Sequence, residues 1–247
     1  MEIALIALLT IIAGMVGTIT GFGTSTIMVP VLLIWFPLPM TLLLVGIIHW
    51  FGDIWKIALF RKGFNWRLVF AFGIPGVLLT WLGAHFVFTA PEEMLSRILG
   101  GFLVAYTLFL FLNPSFKFKD STITAAVGGG LSGFFAGVFG VGGAVRSAFL
   151  TAFDLPKAVY IATAGAIGLG VDSARLVEYW RGGATLGDLP LWSLLVFIQI
   201  ANNAKQRIEL LFVDRAIACL NRGNIISCEP SISIERSPAA RELSHMQ

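Results

Sequence analysis

Gly137-Val138-Phe139-Gly140-Val141-Gly142-Gly143 interrupts an apolar run, 123–153, that is much longer than one membrane crossing needs. Its counterpart lies 119 residues earlier, where Thr18-Ile19-Thr20-Gly21-Phe22-Gly23-Thr24 interrupts the apolar run 3–36. About 20 residues cross ~30 Å of hydrocarbon, so both runs carry surplus length. Gly costs about 1 kcal/mol relative to Ala in a helix interior, and Thr is mediocre there too. Each run is therefore expected to break at its glycines into two half-helices, the first at 20–25, with its second half ending near Pro37.

The same shift of 119 aligns Gly14 with Gly133, Gly21 with Gly140, Gly23 with Gly142 and Pro37 with Pro156. It also aligns Asp53 with Asp172, Lys56 with Arg175, Lys62 with Arg181 and Gly63 with Gly182. These are residues that break or charge a helix. Their agreement means more than matches between Leu-rich filler, and duplicated halves with interrupted helices are a transporter signature.

Composition agrees. Apolar residues make up 57% of the chain and charged residues 13%, against about 25% charged in an ordinary soluble domain. Eleven of the charges fall after residue 201, which leaves 20 for the first 201 residues, mostly in short clusters between apolar runs. A bilayer hides that much apolar surface and a soluble core does not. The fold class is an all-α, polytopic membrane bundle of two repeats, 1–120 and 121–201, followed by a polar tail, 202–247. A net charge of +3 with no basic stripe interleaved with aromatics gives no reason to expect nucleic acid, since positive charge beside spans is the usual topology signal. Cys219 and Cys228 sit in the tail at a spacing that fits neither a metal site nor a disulfide.

Further spans are expected at 42–60, 68–89, 95–112 and 158–180, with basic or polar loops at 61–67, 113–121 and 181–183. If both interrupted runs cross once, these three loops share one side. If each run folds back as a hairpin, the halves are inverted and Arg181 moves to the opposite side. Charge counting favours the first arrangement and run length the second, and the sequence leaves both open. After 189–201, only 13 residues of apolar sequence, the repeat pattern fails. The second repeat reads as incomplete, and 202–247 as sequence from another reading frame.

Two sets of residues could carry chemistry. A broken helix exposes free N–H groups on the half-helix that follows, and its dipole end attracts anions. Thr20, Gly21, Gly23, Thr24 and Ser25, with Gly140, Gly142 and Gly143, could thus form two anion cradles. Arg146, just past the second break, is either an anion ligand or an interfacial arginine. Gly129, Gly133 and Gly137 recur every four residues, which reads as close helix packing. The second set is the charges inside spans: His49, Asp53 and Lys56 on one stripe, and Asp172 with Arg175 on another. Such groups cost about 2.5–3.5 kcal/mol each to insert and by default mark function. A self-neutralising, packing role is the alternative, as is snorkelling of the two cations. No nucleophile–base pair, metal-ligand cluster or cofactor motif is visible, so neither an enzyme nor a cofactor is expected.

These motifs resemble the TauE/SafE sulfite exporter family. The resemblance rests on Ala13-Gly14 through Gly21-Phe22-Gly23 to Pro30, on Arg61-Lys62-Gly63-Phe64-Asn65-Trp66-Arg67, on Leu131-Ser132-Gly133, and on the motif at 137–143, and covers roughly residues 5–197. Two features depart from the family pattern. Thr24-Ser25 stands in place of a longer glycine run, and His49, Asp53 and Lys56 charge a span that is usually less charged. The resemblance implies a multi-pass permease of the cell inner membrane, with about eight spans from a duplicated unit, that handles sulfite, sulfonates or related organic anions. The expected partners are the lipid bilayer and a small anion, with homo-oligomerisation left open. Proton coupling would need a fixed cation and a titratable neighbour, and the charged stripes offer both. An anion channel and a non-transporting membrane scaffold are the rival readings.

Overall fold

The computed structural model describes residues 6–13, 24–60, 63–113 and 118–187, all within one unit, Met1–Ile208. Thr20, Gly21, Gly23, the apolar stretch 189–201 and the tail 202–247 lie outside the described residues. Every regular element among the described residues is helical. Residues 6–13 are in α1; α2 is Ser25–Leu32, α3 Leu38–Leu59, α4 Trp66–Thr89 and α5 Glu92–Leu112. Then come α6, Thr122–Phe139, α7, Gly142–Leu150, a 3-10 turn at Thr151–Phe153, and α8, Lys157–Arg181. Helices α3, α4 and α6 are long and apolar enough to cross a membrane.

Local sequence sets the helix ends. Pro37 and Pro156, 119 residues apart, occupy the N-cap positions of α3 and α8. A proline's fixed φ suits a helix entrance, where its missing N–H costs nothing. The second span therefore starts at Leu38, not at residue 42 as its apolar pattern suggests. Asn65 caps α4 by accepting from the Leu68 N–H at 3.1 Å, and Ser121 caps α6 by accepting from the Thr124 N–H at 3.0 Å. Ser121→Ala is expected to cost about 1 kcal/mol, read as a lower melting temperature of the detergent-solubilised protein.

The run 123–153 breaks at its glycines into two unequal helices. Helix α6 takes 18 residues and α7 only 9, about 27 Å and 14 Å at 1.5 Å per residue. The glycine at the turn explains where the break falls: Gly140 ends α6 in the left-handed conformation, φ +70°, which a side chain disfavours. Helix α7 then folds back along α6. The Ser132 hydroxyl donates to the Gly142 carbonyl at 2.8 Å, and a Cβ on Gly128 would strike the Phe149 ring. Pairing of 132 with 142 and of 128 with 149 is the signature of an antiparallel hairpin.

Helix α4 lies along α6, backbone against backbone. A Cβ on Gly129 would meet the Phe72 carbonyl, one on Gly133 the Gly76 carbonyl, and one on Gly137 the Thr80 carbonyl. The Thr80 hydroxyl donates to the Gly133 carbonyl at 2.7 Å. Small residues allow this approach, and in lipid such contact replaces the hydrophobic drive that water would supply. The glycine trio at 129, 133 and 137 thus serves packing.

Helices α3 and α8 cross with reciprocal contacts. A Cβ on Gly46 would meet Leu176 and the Arg175 guanidinium carbon; one on Gly165 would meet Lys56 and Ile57. Each member of the second set stands 119 residues from its equivalent in the first. Trp50 donates to the Ser173 hydroxyl at 2.9 Å midway along. Because 46 meets 175 and 56 meets 165, the two helices run antiparallel. Equivalent helices of the two halves therefore point in opposite directions, as the hairpin arrangement requires. Helices α4, α6 and α8 run together, starting at the end that holds Asn65, Ser121 and Lys157. Arg181 lies at the other end.

Candidate functional site

The charged stripes of α3 and α8 meet at the crossing. Lys56 Nζ donates to Asp53 Oδ1 at 2.7 Å, and Arg175 Nη2 to Asp172 Oδ1 at 2.9 Å. Both pairs are i, i+3, so each helix carries its own partners on one face. Asp53 is fully buried, Asp172 is 4% exposed and Arg175 only 1%. His49 is buried one turn before Asp53.

Arg146, in the second turn of α7, completes the cluster. Its Nη1 lies 3.0 Å from where a Cβ of Gly168 would sit, and the same position would collide with Asp53 Oδ2. Only the missing side chain at Gly168 lets the Asp53 carboxylate and the Arg146 guanidinium occupy one hollow. Arg175, Asp53, Arg146 and Lys56 all lie close enough to act on the Asp172 carboxylate. Arg146 is 8% exposed and makes no ion pair among the described residues.

The break and the cluster adjoin. Arg175 Nη1 lies 3.3 Å from the position a Gly140 Cβ would take, beside Leu42 and Val29. Gly142 turns the other way, against Ser132 and Ala136 of α6, and so packs the hairpin. Gly143 is the second residue of α7. Thr24 occupies the N-cap position of α2 without a side-chain capping bond, and Ser25 opens that helix, buried. Of the residues expected to form two cradles, the described ones divide. Gly140 touches the charged cluster directly and Gly142 serves packing, while Thr20, Gly21 and Gly23 lie outside the described residues.

Several polar atoms here have no hydrogen-bond partner among the described residues. They are Arg175 Nε and Nη1, Asp53 Oδ2 and Asp172 Oδ2; Ser25 Oγ, at the start of α2, is a further one outside the cluster's pairs. Native interiors rarely leave such atoms unsatisfied, and an unmade bond costs about 1–3 kcal/mol, more for charged groups. Asp53, Asp172 and Arg175 thus bring open donors and acceptors into one buried cluster.

Gly168, Gly46 and Gly165 were not singled out in the sequence. Gly168 was hidden because its equivalent is His49. Gly46 and Gly165 match under the shift of 119, a signal that could have marked them as a contact pair. Glu178 accepts from Trp81 Nε1 at 2.8 Å and faces His85 Nδ1 at 3.2 Å, which fixes α4 to α8 one turn beyond Arg175.

A helical membrane bundle with duplicated, oppositely directed halves, an interrupted helix and a buried charge cluster at their junction belongs to the class of membrane transporters. The sequence profile of the sulfite exporter TauE/SafE family matches residues 6–203, most of the 247-residue chain. The chain belongs to that family. No curated protein and no solved structure matches it.

Proposed function

We propose that this chain is a multi-pass permease that moves a small sulfite-type anion, held beside the Gly140 break by Arg175 and Arg146. The observation that carries this reading is the buried guanidinium of Arg175, with two nitrogens left open next to unwound backbone. Irregular backbone at membrane depth is tolerated where it is buried or lines a cavity, and inverted repeats place substrate at their junction. His49, Asp53, Lys56 and Asp172 are the candidates for proton coupling, as groups that neutralise or release charge around the anion.

The loops joining α3 to α4 and α5 to α6 carry Arg61, Lys62, Lys117 and Lys119, Arg67 lies in the first turn of α4, and Lys157 opens α8 at the same end. The opposite end has Arg97 and Arg181 with Glu92 and Glu93. By the positive-inside rule the Asn65–Ser121–Lys157 end is cytoplasmic, the orientation expected of a permease in the cell's inner membrane.

Uptake of labelled sulfite into proteoliposomes tests this. The wild type should show saturable uptake and counterflow, and Arg146→Gln should raise KM at least tenfold. Non-saturating flux without counterflow would favour a channel. No flux above empty liposomes would favour a scaffold.

A further inference from the structure

The cluster at the α3–α8 crossing holds a definite balance of charge. The titratable and charged groups around it are His49, Asp53 and Lys56 on α3, Arg146 on α7, and Tyr160, Asp172, Arg175 and Tyr179 on α8; Glu178, one turn further along α8, turns to Trp81 and His85 of α4 and stands outside the count. With both aspartates ionised, each is cancelled by the cation three residues on, and Arg146 remains. The junction then carries one surplus positive charge in a place where uncompensated charge is costly.

The open hydrogen-bonding atoms add a second constraint. Arg175 Nε and Nη1 need acceptors, whereas Asp53 Oδ2 and Asp172 Oδ2 need donors. All four atoms are more than nine-tenths buried. Atoms of both kinds are filled at once by a ligand that has several acceptor oxygens, one negative charge and one hydroxyl proton. A sulfonate has the charge and the oxygens but no proton to give. A dianion such as sulfate or fully ionised sulfite has neither the right charge nor a donor.

Resting on the anion-transport reading above, we infer that the junction selects the singly charged, proton-bearing form of a small oxyanion, hydrogen sulfite rather than sulfite. Its O–H donates to an open aspartate oxygen while its other oxygens accept from Arg175. The proton travels with the anion, so sulfite moves with one proton per anion even when neither aspartate changes its protonation state. A dianion enters only if Asp53 or Asp172 is first protonated.

The test is equilibrium binding of labelled sulfite to the purified full chain in detergent across the pH range where hydrogen sulfite loses its proton, with methanesulfonate and sulfate as competitors. Methanesulfonate is a donor-free monoanion and sulfate a dianion throughout that range. On the alkaline side, apparent affinity for total sulfite should fall about tenfold per pH unit. Methanesulfonate should compete at least tenfold more weakly than hydrogen sulfite, and sulfate more weakly still. Asp172→Asn, which raises the surplus charge by one, should strengthen sulfate competition at least tenfold relative to methanesulfonate. Competition by sulfate or methanesulfonate equal to that of hydrogen sulfite overturns the inference and leaves the anion-transport reading standing. Absence of binding by all three anions overturns both.

Discussion

Arg175→Ala should remove most folded protein from the membrane and abolish sulfite uptake in what remains. The guanidinium is 1% exposed and bonded to Asp172 at 2.9 Å. Deleting it strands a buried carboxylate, and breaking one side of a buried pair costs about 3–5 kcal/mol. Removing both charges is a different matter, because replacing a buried pair by neutral groups is often tolerated. The double variant Asp172→Asn with Arg175→Gln should therefore recover folded yield, seen as a monodisperse peak in size-exclusion chromatography. It should not recover transport, because the open nitrogens beside Gly140 are gone. Uptake by the double variant at a tenth or more of the wild-type rate would reduce the pair to a packing device.

Gly133→Ala is expected to be the most damaging single-methyl change in the bundle. The added methyl would meet the Gly76 backbone, which no rotamer change can move aside, and the Thr80–Gly133 bond of 2.7 Å would be lost as α4 and α6 part. Overpacking typically costs about 1–3 kcal/mol, and this site belongs at the upper end. The control is Gly101→Ala on α5, where nothing lies within 4 Å of the added methyl and helix propensity gains about 1 kcal/mol. Thermal unfolding in detergent should separate the two, with Gly101→Ala at or above the wild-type melting temperature and Gly133→Ala well below it. Equal melting temperatures would mean that the helices part at no cost.

How much of this was legible depends on the kind of residue. Glycines mark backbone, and they located the break within 137–143 and a packing face at 129, 133 and 137, whereas the entrance of α3 was read four residues late because the apolar pattern was followed in place of Pro37. The i, i+3 charge pairs were legible because helical spacing alone brings Asp53 to Lys56 and Asp172 to Arg175. Direction was not. A run of apolar residues reads the same whether it crosses once or folds back, and only the pairing of 132 with 142 and of 46 with 175 settles it. Arg146 stood alone in the sequence because its equivalent is Ile27, and Gly168, which gives it room, looked like filler. Both belong to the asymmetric part of the junction, where a repeat-based reading has least to offer.

The pairing of each buried aspartate with a cation on its own helix also bears on how the chain enters the membrane. Helix α3 is made more than a hundred residues before α8, its partner at the crossing. If Asp53 depended on a cation from α8, it would wait in the insertion machinery as a bare charge, at a cost of about 2.5–3.5 kcal/mol on insertion scales. Instead Lys56 arrives three residues later in the same segment, and α8 brings Arg175 with Asp172. Each helix can leave the translocation channel as a locally neutral unit and find the other afterwards. The charges that end up at the centre of the molecule need no escort during synthesis.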